Sequence, residues 1–240
     1  MFINHPAFVD PENNNLKLWR YIQKDKLYNL LDSSCLYFCR ADYFQKDDTF
    51  EGTWPRLEYE HQIKRDDGKE TARRLYEMTS KDTFINCWHL SEDENLAMWK
   101  LYGKGEKGVA IQTDITNFKK AFESSDRNIF AGKVDYINYE TDTFYKESAH
   151  NYYVMNAFSL FIHKRKIFSY EKEYRAICTD SNGSQYNGIS IKVNLNNLIH
   201  QIYLSPFSVE KDYIDIQSRI NELPVKIPIS FSSFKAQPYY

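Results

Sequence analysis

Apolar positions along the chain recur with two spacings, and the changes of spacing mark the elements. Leu16-Lys-Leu-Trp-Arg-Tyr-Ile22 alternates with period two and predicts a strand, with Arg20 on the face of Leu16 and Leu18. Asp25 to Leu31 predicts a short helix with Leu27, Leu30 and Leu31 on one side. Cys35-Leu-Tyr-Phe-Cys39 predicts a second strand, followed by a loop of acids and aromatics from Arg40 to Gly52. Trp54 to about Ser80 is charged throughout and predicts a solvated helix in two pieces, broken near Gly68. Thr83-Phe-Ile-Asn-Cys-Trp88 predicts a strand, and Ser91 is positioned to cap the helix that carries Leu96, Met98, Trp99 and Tyr102.

Gly103-Lys-Gly-Glu-Lys-Gly108 has the G-x-G-x-x-G spacing but not its context. A dinucleotide fingerprint follows a strand and opens a helix; here a helix precedes and the strand Val109–Thr113 follows, so a helix-to-strand turn is predicted. Asp114 caps a helix to Phe122, and Lys133–Tyr139 reads as a strand. Residues 141–163 form the longest helical candidate, with Phe144, Tyr145, Tyr152, Met155, Phe158, Leu160 and Phe161 at apolar positions. A strand is predicted over about 170–179. Strands at Gly188–Val193 and Ile199–Leu204, a helix over Val209–Ile220 and an edge strand at Ile227–Ser230 complete the series. No repeat or linker interrupts it. The reading is α+β: a loose, Asn/Pro-rich arm over residues 1–15 and one domain of short strands and interspersed helices over residues 16–240.

Composition narrows the function classes. The net charge of −2 gives no global pull toward nucleic acid or an anionic membrane. The 19 Tyr and 16 Phe exceed the usual share, and most of them must serve the core. Cys35, Cys39, Cys87 and Cys178 form no CxxC pair, and the six histidines (5, 61, 89, 150, 163, 200) are scattered, so neither zinc spacing nor a disulfide framework is expected. The opening Met1-Phe-Ile-Asn-His-Pro does not read as a signal peptide, and no apolar run nears the ~20 residues of a membrane span. A cytoplasmic location without membrane contact is expected.

The most charged candidate stretch is Phe168-Ser-Tyr-Glu-Lys-Glu-Tyr-Arg175, after the basic knot Lys164-Arg165-Lys166. In an extended chain Glu171, Glu173 and Arg175 share one face, with Tyr170, Lys172 and Tyr174 on the other. Such a row is either a strand face of ion pairs or a site. The knot reads either as a seat for a nucleic-acid backbone or as a solvated helix end. Asp42, Asp47, Asp48 and Glu51 form an acidic loop that would suit Mg²⁺ if it met Glu171 or Glu173, which would point to a metal-dependent nuclease.

Several landmarks taken together resemble a bacterial domain-of-unknown-function family, number 2971. They are Leu18-Trp-Arg-Tyr21, Leu36-Tyr-Phe38, Asp42–Glu51, Cys87-Trp88 with Met98-Trp-x-x-Tyr102, Gly108-Val-Ala-Ile111, and Tyr170-Glu-Lys-Glu-Tyr-Arg175. The similarity runs from about residue 16 to 205. It departs from the family pattern at Gln45–Asp48, where a shorter N-D-P is usual, and at Phe168, where Trp is common. More distantly, the chain is similar to ADP-ribosyltransferases, which join a first strand ending in Arg or His to a late strand opening with E-x-E. Arg20 and Glu171-Lys-Glu173 match those two positions; no S-T-S element stands between them, and Phe84–Trp88 occupies its place.

This second resemblance implies a split, mostly antiparallel sheet of short strands flanked by helices, and NAD as co-substrate with no metal. It implies Glu173 as the carboxylate beside the ribose, Glu171 orienting the acceptor and Arg20 on the pyrophosphate. Tyr21, Tyr37 and Tyr43 are candidates to stack on nicotinamide or adenine, and Lys164, Arg165 and Lys166 are candidates to seat the acceptor. The function it implies is an ADP-ribosyltransferase toxin or defence effector acting on RNA or protein, with an antitoxin or chaperone as possible partner. The rivals are the metal-dependent nuclease of the acidic loop and a non-catalytic binding module.

Overall fold

The computed structural model describes residues 1–63, 68–105, 107–144 and 158–238. In chain order the first half contains β1 (Lys17–Gln23), α1 (Lys24–Ser33), β2 (Cys35–Arg40), α2 (Arg56–Ile63), α3 (Gly68–Asp82), β3 (Thr83–Leu90), α4 (Leu96–Met98) and β4 (Gly108–Asp114). The second half contains α5 (Ile115–Lys120), β5 (Phe130–Lys133), β6 (Asp135–Ile137), α6 (Ser159–Ile162), β7 (His163–Arg165), β8 (Glu173–Thr179), β9 (Gly188–Lys192), α7 (Leu195–Leu198), β10 (Gln201–Leu204), α8 (Glu210–Asn221) and β11 (Ile229–Phe231). This is an α+β architecture with a largely antiparallel sheet flanked by helices.

Nine strands form the main sheet, in the order β11-β10-β4-β1-β3-β2-β9, with β8 pairing β3 and β5. Among these pairings only β10 with β11 is parallel. A separate parallel pair joins β6 and β7. Strand β3 is the hinge of the arrangement. Along one edge β8 pairs with its whole length, from Thr83↔Thr179 to His89↔Glu173. Its other edge is shared: β1 takes the C-terminal end, through Leu18↔Leu90 and Trp19↔His89, and β2 takes the N-terminal end, through Cys39↔Ile85 and Arg40↔Phe84. Beyond these pairs β1 and β2 leave β3 and each other, so the sheet is split, with Asn86, Cys87 and Trp88 at the apex of the gap. A gap in a ladder strands backbone groups that must be paired elsewhere. The Asn86 amide donates to the Tyr37 carbonyl at 2.7 Å, and the Arg20 guanidinium donates to the Cys87 carbonyl at 2.7 Å. The Trp88 indole, bonded to the Asn86 side-chain oxygen at 2.6 Å, fixes that amide.

The two faces differ. One buries Leu18, Phe38, Phe84, Trp88, Ile111 and Tyr174 against Leu27, Leu30 and Leu31 of α1 and apolar residues of α5, α7 and α8. Each such side chain contributes roughly 1.5–3 kcal/mol by leaving water. The other face carries two smaller apolar clusters, one around Trp19, Tyr21 and Trp99 and one around Ile85, Phe161 and Ile177. Between them lies a band of buried polar and charged groups that includes His89, Glu173 and Arg175.

Several local expectations change. The arm over residues 1–15 is docked: Ile3 N–H donates to the Ile129 carbonyl at 2.8 Å, Lys133 N–H to the Val9 carbonyl at 2.9 Å, and the Tyr174 hydroxyl to Asp10 at 2.8 Å. It covers the edge of β5 that β8 leaves open, and so removes an exposed strand edge. Asn95, not Ser91, caps the helix at Leu96, accepting from Ala97 N–H at 2.9 Å and Met98 N–H at 3.3 Å. That helix becomes a π turn at Trp99–Gly103. The G-x-G-x-x-G stretch is a helix-to-strand turn, with Lys104 and Gly105 in left-handed conformation at φ 51° and 87°. Of the long helix expected over 141–163, residues 141–144 are irregular, Ser159–Ile162 is the four-residue α6, and His163–Arg165 is strand β7 beside β6. Tyr145, Tyr152 and Met155 lie outside the described residues.

Candidate active site in the split sheet

The strand expected from about residue 170 begins at Glu173. Lys166–Glu171 is a 3-10 turn, and Lys172 adopts φ 42° between the two elements. That left-handed residue breaks the alternation, so Glu171 reaches Glu173 by a backbone kink and not by strand periodicity. The kink is held on both sides. Leu90 N–H donates to the Lys172 carbonyl at 2.9 Å, and His89 Nδ1 lies 2.6 Å from the Glu171 carbonyl oxygen. A carbonyl only accepts, so His89 carries its proton on Nδ1. Burial lowers the His89 pKa and keeps the ring neutral.

The two carboxylates share one ammonium. Lys164 Nζ lies 2.5 Å from Glu171 Oε2 and 2.6 Å from Glu173 Oε1. Arg175, fully buried, closes the other side with Nε 2.6 Å from Glu173 Oε2 and Nη1 2.5 Å from Glu51 Oε1, and it also donates to the Phe161 carbonyl at 2.7 Å. Tyr102 donates to Glu171 Oε1 at 2.7 Å, and Glu173 N–H donates to the Tyr136 hydroxyl at 2.8 Å. Three carboxylates therefore meet two cations in a buried cluster. Burial by itself would raise Glu173, but the charges of Arg175 and Lys164 more than offset it and hold Glu173 well below the usual carboxylate range. Glu171 moves the other way, raised by burial and then by the neighbouring Glu173. Two adjacent carboxyls driven apart in this way have separate roles available to them, one ionised and one able to take a proton.

Arg20 stands on the other side of β3. By register it lies on the face of Trp88 and Ile111, opposite to the face that carries His89 and Glu173, with its guanidinium carbon 5.9 Å from the Trp88 ring and Nη1 2.7 Å from the Cys87 carbonyl oxygen. Burial pulls its pKa down to about 10, so it stays cationic at neutral pH. Among the described residues no carboxylate forms an ion pair with it, in contrast to Lys164 and Arg175. Burial, followed by the charge of the nearby Glu173, pushes the Cys87 thiol up. One residue at the apex of the split thus bonds Arg20 through its backbone and feels the Glu173 charge at its side chain. The backbones of β1 and β8 lie two strand spacings apart, about 10 Å.

The other expected residues are distributed differently. Tyr21 is buried, edge-on to Trp99 with ring centroids 5.0 Å apart, and its oxygen accepts from Asn95 N–H at 2.9 Å. Tyr37 leans over β9, away from β1: a methyl placed on Gly188 would come 2.2 Å from the Tyr37 hydroxyl. Tyr43 bonds Asn187 at 2.6 Å and packs against Arg40 and Lys46. Among the described residues none of the three side chains forms a hydrogen bond or cation–π contact with Arg20 or Glu173, and the Tyr21 ring lies 6.3 Å from the ring of His89, which pairs with Glu173. The basic knot is taken apart. Lys164 belongs to the carboxylate cluster, Arg165 pairs with Asp48 at 2.5 Å, and Lys166 is exposed. The three therefore do not form one exposed basic patch, because burying Lys164 beside two carboxylates satisfies its charge internally. The acidic loop is dispersed in the same way: Asp42 pairs with Arg40 at 2.8 Å, Asp48 with Arg165 and Glu51 with Arg175. Among the described residues no group of three metal-ligating side chains is assembled.

Glu51 and Tyr102 enter the cluster in roles the sequence did not suggest. Glu51 is separated from Arg175 by 124 positions. A signal for such pairing existed in the matching of acids at 48 and 51 to cations at 165 and 175, but spacing could not say which would meet.

No curated protein matches the sequence. A solved structure described as "Thermus sp. 2.9 DarT in complex with carba-NAD+" is similar at TM-score 0.41 and 9% identity, with 94% of this chain and 98% of that chain covered. Residues 98–176 match the sequence model described as "Protein of unknown function (DUF2971)". That segment opens at Met98 before the π turn and ends at Ala176 in β8, so it includes Tyr102, Lys164, Glu171, Glu173 and Arg175 and leaves out Arg20 and Glu51. Over residues 98–176 the chain resembles this family.

Proposed function

We propose that the protein is an ADP-ribosyltransferase-like enzyme that uses NAD to modify a macromolecule, RNA or protein. The observation that carries the reading is Arg20: a half-buried guanidinium without a carboxylate partner among the described residues, at the apex of a split sheet, bonded to the backbone of Cys87, the residue that opposes Arg175 beside Glu173. A half-buried guanidinium that no carboxylate occupies is open to an anionic ligand, and a pyrophosphate suits one with four further N–H donors. Glu173, kept ionised by Arg175 and Lys164, supplies negative charge where cleavage of the nicotinamide–ribose bond develops an oxocarbenium-like cation. The breaking bond gives its electron pair to the nicotinamide nitrogen, and a nucleophile of the acceptor closes on the ribose carbon as it loses a proton. In this reading the protein acts as a toxin or defence effector in the cytoplasm and needs a neutralising partner protein.

The test is incubation of purified protein with labelled NAD and either cell RNA or lysate, with and without EDTA. Label transfer that survives EDTA and falls at least about a hundredfold in Glu173→Gln is expected, with far-UV dichroism confirming that the variant is folded. Full transfer by a folded Glu173→Gln protein would leave the cluster a structural ion network. RNA loss abolished by EDTA would replace the transferase with the nuclease.

A further inference from the structure

We propose that Tyr102 is the proton relay between the acceptor nucleophile and Glu171. The inference rests on the transfer reading above and names a residue that reading does not use. Glu171 is 4% exposed, so a macromolecule does not reach its carboxylate directly. Tyr102 is 43% exposed, yet its hydroxyl lies 2.7 Å from Glu171 Oε1. One side chain therefore spans from solvent to the buried pair.

The choice of oxygen follows from the cluster. Glu171 Oε2 and Glu173 Oε1 are both bonded to Lys164, and Glu173 Oε2 is bonded to Arg175. Those cations hold the three oxygens in their anionic form. Glu171 Oε1 faces a neutral donor, the phenol, and is the oxygen placed to accept a proton. The groups facing Glu171 are Lys164 from β7, Glu173 and Arg175 from β8, Tyr102 from the π turn, Tyr170 from its own turn and, farther off, Glu51.

The backbone supports the placement. A π turn adds a residue to a helical turn and re-aims the side chains that follow, a feature common at functional sites. The turn is anchored below by Trp99, packed on Tyr21 and bonded through its indole to Glu94 at 3.0 Å. Gly108 allows the return strand to approach the turn, since a methyl there would sit 2.7 Å from the Gly103 carbonyl oxygen.

In the step itself the ribose–nicotinamide bond breaks, with its electron pair going to the ring nitrogen, and the bond from the acceptor oxygen or nitrogen to the ribose carbon forms. The acceptor's proton passes to the Tyr102 oxygen as the phenol's own proton passes to Glu171 Oε1. Burial and the Glu171 charge raise the Tyr102 pKa, so the two transfers are concerted and no phenolate accumulates.

The experiment compares wild type with Tyr102→Phe, using labelled NAD and cell lysate, alongside the melting temperature and a carbon-13 titration of the Glu171 carboxyl. The expected result is a fall of about a hundredfold in kcat with the KM for NAD changed less than about twofold, and a folded protein. The Glu171 titration is expected to move upward, because the anion loses a hydrogen-bond donor. A Tyr102→Phe variant that transfers label within about twofold of wild type overturns the relay and leaves the transferase reading standing. A lower kcat with an unmoved Glu171 titration also overturns it, since the phenol would then not act through this carboxylate. Wild-type protein that turns over no NAD overturns both.

Discussion

Replacing Arg175 by Met separates the chemistry of the cluster from its contribution to stability. Arg175 is fully buried and donates to Glu173, Glu51 and the Phe161 carbonyl. Met fills much of the aliphatic volume but leaves three carboxylates beside one ammonium. Removing one partner of a buried pair costs about 3–5 kcal/mol, and stranding the Phe161 carbonyl adds about 1 kcal/mol. For a chain of 240 residues the sum corresponds to a fall of roughly 10–20 °C in Tm. The pH dependence is sharper than the magnitude. In the wild type Glu173 is held well below its ordinary value, so its contribution is complete above about pH 4.3 and is lost as the pH falls through the depressed folded value. In Arg175→Met, burial and the neighbouring carboxylate lift Glu171 and Glu173 above about 4.3, so the native state takes up protons first and gains stability as the pH falls from 7 toward 5. Urea unfolding at pH 7 and pH 5 reads both effects. A difference from wild type below about 1 kcal/mol at pH 7, or one that does not narrow at pH 5, would refute the reasoning.

Two further substitutions test how the site is framed. Gly188→Ala places a methyl 2.2 Å from the Tyr37 hydroxyl and 2.5 Å from the Phe38 carbonyl, and the backbone contact does not yield easily. A loss of about 1–3 kcal/mol in urea unfolding is expected, with Tyr37 displaced from β9. Asp10→Ala leaves the buried Tyr174 hydroxyl without its acceptor and breaks the ion pair to Lys119. A cost of about 1–3 kcal/mol is expected, together with faster amide exchange at Ile3 and Lys133, where the arm is bonded.

Local chemistry determined the strands and several of the boundaries. The alternation from Leu16 to Ile22 and the run from Thr83 to Trp88 mark β1 and β3, although both faces of each are buried: Leu18 and Ile22 lie in one cluster and Trp19 and Tyr21 in another, Phe84 and Trp88 on one side and Ile85 on the other. Asp114 caps α5, accepting from Asn117 N–H at 2.7 Å, because the cap interaction spans only three residues. The turn at Gly103–Gly108 was legible for the same reason. Glu171, Glu173 and Arg175 were singled out as a costly group, and they do meet. Tertiary structure decided how they meet. The left-handed Lys172, the recruitment of Lys164 into the core and the arrival of Glu51 and Tyr102 depend on contacts over 7, 124 and 69 positions, which no periodicity encodes. The same holds for the N-terminal arm, whose polar composition reads as loose until the open edge of β5 gives its backbone partners. The split is likewise a property of pairing alone. Two strands compete for one edge of β3, and the side chains of Arg20 and Asn86 satisfy the backbone that the competition leaves exposed.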